Sequence, residues 1–122
     1  MKAQPLTLVV DDGEGPRQAI RIMLEHLGAR VIEAATSQEA LELAVRHNFD
    51  LVTSDLTRAP VDGFKFLQIF KWLQPTVPVI IISAVLNPAN EESATSMGAF
   101  ACLGKPFTLQ QLRPVVESAL GM

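Results

Sequence analysis

The chain has 122 residues, enough for one domain with a real core and too short for two ordinary ones. Hydrophobic residues make up 48% and charged residues 19%, which excludes a disordered tail and indicates a compact soluble globule. Ten basic against thirteen acidic side chains leave a net charge of -3, so there is no electrostatic footprint for direct nucleic-acid binding or for an anionic membrane.

The N-terminus lacks the charged-then-apolar pattern of a signal segment, and no apolar run approaches the ~20 residues that span a bilayer. Leu6-Thr7-Leu8-Val9-Val10 reads as a first strand that stops abruptly on Asp11-Asp12. Gly13-Glu14-Gly15-Pro16 follows, with Pro16 suited to the first helical position. Ile20, Met23, Leu24 and Leu27 then trace one helical face up to Gly28. Arg30 to Ala34 is a second short strand, and Thr36 with Glu39 is a capping-box pattern opening a helix through about His47.

Leu51-Val52-Thr53-Ser54 is an apolar run that ends on Asp55 and gives way to a loop reaching Gly63. Phe66, Leu67, Phe70 and Leu73 mark the apolar side of a third helix closed by Pro75, with Trp72 off that stripe and therefore partly exposed. Val79-Ile80-Ile81-Ile82, bounded by Pro78 and Ser83, reads as a central strand. A small-residue helix from Asn87-Pro88 to Gly98 precedes a fifth strand, Ala99 to Leu103, in which Phe100 is expected to be core. This strand carries Cys102, the single cysteine, which excludes an internal disulfide and suits a reducing, cytoplasmic setting. Gly104-Lys105-Pro106 follows, Thr108 with Gln111 repeats the capping pattern, and Pro114 should kink or weaken the last helix.

Strands alternating with helices imply right-handed βαβ units and one doubly wound, five-stranded parallel sheet covered on both faces by five helices. In such a sheet Asp11, Asp12, Asp55, Ser83 and Lys105 all fall just beyond strand ends, at one edge, where open α/β folds carry their chemistry. Taken singly, each has a plainer reading: a helix-capping acid pair, a strand-end hydroxyl, a solvated loop lysine. Together, three carboxylates repel unless a hard cation with oxygen ligands compensates them, and Mg²⁺ fits because it keeps several waters. A lysine supplies a point charge for phosphate, a serine hydroxyl can donate to a phosphoryl oxygen, and an aspartate can act as a nucleophile that forms an acyl phosphate.

The series Val9-Val10-Asp11-Asp12, Asp55 with Asp62-Gly63, Ile82-Ser83-Ala84, Gly98-Ala99 and Lys105-Pro106-Phe107 resembles the response-regulator receiver domain of two-component, or phosphorelay, signalling. The resemblance covers essentially the whole chain. It implies flavodoxin-like receiver topology, one receiver domain over 1–122 with a core from about 6 to 120, and no output domain within it. Carried over residue by residue, it makes Asp55 the phosphoacceptor and assigns Asp12 and Asp55 to Mg²⁺ directly, Asp11 through water and Thr57 by its backbone carbonyl. Lys105 would pair with the phosphoryl group, the Lys105–Pro106 bond would be cis, and Ser83 would be the switch hydroxyl.

The implied partners are a histidine kinase or histidine phosphotransfer protein and a downstream protein or fused output domain, with a homodimer through the last two helices as a further arrangement. The implied function is signalling rather than enzymatic turnover, apart from self-catalysed phosphoryl transfer and loss. Three positions depart from the family pattern. Cys102 stands where an aromatic residue usually gates the switch, Ala59 with Pro60 stands where a proline usually follows the phosphoacceptor, and Pro114 interrupts a dimerisation helix. A degenerate receiver that binds protein without phosphorylation remains the alternative. A haloacid-dehalogenase-type hydrolase would want an acid at Thr57, and a flavin-binding domain would not place Asp11-Asp12 at its phosphate cradle.

Overall fold

The computed structural model describes residues 4–56 and 60–122. The elements run in strict alternation: β1 (Leu6–Val10), α1 (Glu14–His26), β2 (Arg30–Ala34), α2 (Ser37–Arg46), β3 (Leu51–Ser54), α3 (Pro60–Leu73), β4 (Val79–Ser83), α4 (Pro88–Ser96), β5 (Ala101–Gly104) and α5 (Leu109–Leu120). All strand pairs are parallel, in the order β2-β1-β3-β4-β5, so the sheet is doubly wound as the alternation predicts.

Period-2 alternation divides the buried side chains between two cores. Leu8, Val10, Val52 and Ile81 face α2, α3 and α4, where Phe66, Leu67 and Phe70 meet them. Val9, Leu51, Ile80 and Ile82 face α1 and α5, against Ile20, Leu24, Leu112 and Val116. Thr7 and Thr53 lie at the same alternation as Val9 and Leu51, are fully buried, and have hydroxyls without a hydrogen-bond partner among the described residues. Thr7→Val and Thr53→Val are each expected to raise the unfolding free energy by roughly 1 kcal/mol in urea titrations, because a buried unpaired hydroxyl costs stability. An unchanged or lower midpoint would show that those hydroxyls are satisfied.

Helix ends follow local chemistry. Thr36 caps α2 by accepting the Glu39 N–H, and Thr108 with Gln111 forms the full capping box of α5. Gly28 takes φ 99°, the left-handed conformation that lets the chain turn back after α1.

Several sequence expectations shift. Pro16 is the third residue of α1 rather than the first, still within the first turn, where a missing N–H forgoes no helical hydrogen bond. α3 begins at Pro60, so residues 60–62, expected in the loop, belong to the helix. Leu73, expected on the apolar side of α3, is exposed, while Trp72 is 81% exposed as its place off the stripe predicts. β5 begins at Ala101, and Phe100 is 47% exposed instead of core. It precedes an edge strand and follows Ala99, whose N–H donates to the Ala94 carbonyl of α4, a short polar helix whose buried residue is Ala94 alone. α5 runs across Pro114 without ending there, since Gln110 and Pro114 are both exposed and the carbonyl left without a donor can meet water. Thr57 and Ala59 lie outside the described residues.

Candidate functional site

Parallel strands finish together. Val10 of β1 is level with Ser54 of β3, Ser54 with Ile81 of β4, and Ser83 with Gly104 of β5. The next residues out are Asp11, Asp55 and Lys105, and backbone hydrogen bonds extend the ladder to fix each one. Asp11 N–H donates to the Ala34 carbonyl at 3.1 Å, Asp55 N–H to the Val10 carbonyl at 3.1 Å, and Lys105 N–H to the Ser83 carbonyl at 2.9 Å.

Their side chains converge. Lys105 Nζ lies 2.9 Å from Asp11 Oδ2 and 2.8 Å from Asp55 Oδ2, bridging two acids that stand on separate strands. Asp11 is 2% exposed, Asp55 11% and Lys105 19% in their side chains, so the bridge is shielded at Asp11 and partly open at Asp55 and Lys105. Asp11 Oδ1 accepts the Gly13 N–H at 2.9 Å. Burial by itself would lower the Lys105 pKa, but hydrogen bonds to Asp55 and Asp11, together with their charge, outweigh it and hold the ammonium above its ordinary value.

The structure does not join every sequence-predicted site residue to this bridge. Asp12 is exposed, next to the buried Asp11. Ser83 is fully buried and its hydroxyl accepts the Val85 N–H at 3.1 Å, so the hydroxyl closes a turn after β4, while the Ser83 carbonyl holds the Lys105 backbone. The Lys105–Pro106 peptide is cis, as the resemblance implies. Cys102 packs half-buried against the α2–α4 core, and desolvation first, then the charge of Glu91, pushes its thiol pKa up. That leaves it protonated and unreactive near neutral pH.

The residues suit a hard cation. The carboxylates of Asp11 and Asp55 meet at the Lys105 ammonium, Asp12 is next in the chain, and each of these acids offers only oxygen. Among the described residues no three acidic, His or Cys side chains cluster closely enough to enclose a metal by themselves. A cation that retains most of its water and takes one or two carboxylates asks for no such cage.

Sequence reasoning does not single out Arg17 and Glu33. Arg17 donates from Nη1 to the Asp11 carbonyl at 2.9 Å and from Nε to Glu33 Oε1 at 2.8 Å. An isolated arginine on an amphipathic helix reads as solvated charge, and only the adjacency of β2 to β1 brings Glu33 to it.

Beside the site, an open apolar groove of about 370 Å³ lies between α1 and the turn after β5, lined by Pro16, Ile20, Met23, Pro106 and Phe107 and bordered by Lys105. Among the described residues no helix is long and apolar enough to cross a membrane.

The sequence model of the response regulator receiver domain matches residues 7–117. The chain is 33% identical over 113 residues to the transcriptional regulatory protein GlrR of Escherichia coli (strain K12), covering 93% of this chain and 26% of that protein. It is 29% identical over 119 residues to the polar-differentiation response regulator DivK of Brucella ovis, covering 93% of this chain and 94% of that one. A crystal structure of a response regulator receiver domain protein from Clostridium thermocellum matches with a TM-score of 0.88 at 30% identity, over 96% of this chain and 94% of that chain. The chain thus spans about a quarter of the length of the first of these relatives and nearly all of the second. With its sheet order, its acid-bearing strand ends and its Lys105 bridge, the chain belongs to the response regulator receiver domain family.

Proposed function

We propose that this receiver domain accepts a phosphoryl group from the phosphohistidine of a histidine kinase or phosphotransfer protein onto Asp55, with Mg²⁺, and thereby switches a surface that binds a downstream protein or an output domain. The observation that carries the proposal is the Lys105 ammonium 2.8 Å from Asp55, at a strand end where the carboxylate remains accessible.

In the transfer, a carboxylate oxygen of Asp55 attacks phosphorus as the bond from phosphorus to the imidazole nitrogen breaks. The electron pair returns to that nitrogen, and an acyl phosphate remains on Asp55. Lys105 already lies within reach of the attacking carboxylate, so it can follow the new charge onto the phosphoryl oxygens without crossing the site. Asp12 and Asp55 would hold Mg²⁺ directly, Asp11 through water, and the Thr57 carbonyl would complete the protein ligands. When bound, Mg²⁺ would supply charge neutralisation for the equatorial phosphoryl oxygens.

Ser83 supports the switching half of the proposal. Its hydroxyl now holds the Val85 N–H, so turning it toward a phosphoryl oxygen releases the start of the β4–α4 loop, where Val85 is exposed. The result is a shift between two arrangements of that loop. The groove between α1 and Phe107 offers the phosphohistidine donor an apolar seat that borders Lys105. A cytoplasmic setting suits the lone thiol of Cys102.

Intact mass after incubation with acetyl phosphate tests the proposal. The wild type is expected to gain one phosphoryl group only when Mg²⁺ is present, and Asp55→Asn to gain none. An adduct that persists in Asp55→Asn would move the acceptor elsewhere. No adduct from either acetyl phosphate or a phosphohistidine donor would favour a domain that binds its partners without phosphorylation.

A further inference from the structure

We infer that Arg17 is a positioning residue for the acid pair Asp11–Asp12, fixing the peptide that joins them so that the pair is preorganised for a hard cation; this rests on the phosphoacceptor reading above. Every polar atom of Asp11 is held. Its N–H donates to Ala34, Oδ1 accepts from Gly13, Oδ2 accepts from Lys105, and its carbonyl accepts from Arg17 Nη1 at 2.9 Å. That last bond matters for the neighbour. The peptide unit is planar, so the direction of the Asp11 carbonyl also sets the Asp12 N–H and the path of the chain into Asp12. Asp12 is exposed, and the course of its backbone is set by that peptide.

Arg17 is itself anchored. Its Nε meets Glu33 Oε1 at 2.8 Å, the other oxygen of Glu33 takes Arg21 Nη1 at 2.7 Å, and Arg21 Nε reaches Glu25 Oε2 at 3.0 Å. Glu33 stands on β2 opposite Val9 of β1, so the guanidinium is clamped between one strand and the loop leaving the next. The Arg17 side chain is well shielded, unlike an ordinary surface pair. Hydrogen bonding from Arg21, opposed by burial and aided by Arg17, holds the Glu33 carboxyl below the usual range, so the anchor stays charged at neutral pH. The planar guanidinium serves both acceptors at once through two N–H groups in fixed geometry, whereas a lysine ammonium is a single point.

Arg21 provides the internal control, since it shares Glu33 but makes no bond to the Asp11 loop. The experiment is calorimetric titration with MgCl₂ of wild type, Arg17→Gln, Arg17→Lys and Arg21→Gln, with thermal midpoints alongside. Arg17→Gln is expected to weaken Mg²⁺ binding by about tenfold or more, the scale of losing a partner that orients a ligand. Arg17→Lys should recover only part of this, and Arg21→Gln should bind within about twofold of wild type at a comparable fall in thermal midpoint. Affinity that simply tracks the midpoint across the variants would overturn the inference. Should Arg17→Gln fail to fold, Glu33→Gln, which withdraws the anchor and leaves the arginine, must weaken Mg²⁺ for the inference to stand. If wild type binds Mg²⁺ and labels on Asp55 while Arg17→Gln matches it, the inference falls and the phosphoacceptor reading survives. If wild type neither binds Mg²⁺ nor labels, that reading falls and the inference with it.

Discussion

Replacing Lys105 by methionine is expected to lower the unfolding free energy at neutral pH by roughly 2–3 kcal/mol, because two acids are left without the ammonium between them. Asp11, almost wholly buried, would keep the Gly13 N–H on Oδ1 and lose its partner on Oδ2. The pH dependence separates this electrostatic effect from lost packing. Burial pulls the Lys105 pKa down, but its hydrogen bonds to Asp55 and Asp11 raise it overall in the folded state. A raised folded value means the contribution is whole below the unfolded lysine value of about 10.4 and is lost as pH climbs through the higher folded value. Wild type should therefore lose stability above about pH 10 more steeply than Lys105→Met, and the gap between them should close. Urea unfolding of both proteins from neutral to strongly alkaline pH measures this. A gap that stays constant would mean that methionine disturbs packing and that the bridge contributes little.

The bridge also shows why this site can be read from sequence. Asp11, Asp55, Ser83 and Lys105 each lie at or just beyond the polar end of an apolar strand, and parallel strands deliver their ends to one edge. No tertiary knowledge beyond the alternation of elements is needed to gather them. The doubly wound sheet is legible for the same reason, since runs such as Val79-Ile80-Ile81-Ile82 have few other places to go than between two layers of helix.

What escapes the sequence is set by neighbours that only the folded chain chooses. Phe100 reads as core by hydrophobicity, yet its burial depends on α4, which brings Ala94 and otherwise polar or small residues to that end of the sheet. Pro60-Val61-Asp62-Gly63 has turn composition, but proline, aspartate and glycine are also tolerated in the first turn of a helix, and α3 uses them there. Arg17 is invisible because its role needs β2 beside β1 and the Asp11 carbonyl turned toward α1, and neither is a local property.

Gly63 carries the second large effect. In the first turns of α3 it passes so close to the end of β3 that an added Cβ would lie 2.9 Å from Leu56 Cα and 3.1 Å from the Asp55 carbonyl oxygen. Both are backbone atoms, so no side-chain rotation relieves the contact. Alanine would otherwise favour the helix by about 1 kcal/mol, and the clash must exceed that; overpacking of this kind costs about 1–3 kcal/mol, and here the net loss is expected at the upper end. Gly15 in α1 gives the comparison, because nothing lies within 4 Å of its missing Cβ and Gly15→Ala should stabilise by roughly 0.5–1 kcal/mol. The consequence for Gly63→Ala extends beyond stability. Asp55 is tied at its N–H to Val10 and at its carboxylate to Lys105, so pushing its carbonyl away tilts the residue between fixed ends. Phosphoryl labelling from acetyl phosphate should therefore slow in Gly63→Ala and remain at the wild-type rate in Gly15→Ala. If Gly63→Ala is as stable as Gly15→Ala and labels normally, the start of α3 yields easily, and the close approach of α3 to Asp55 is not what holds the phosphoacceptor in place.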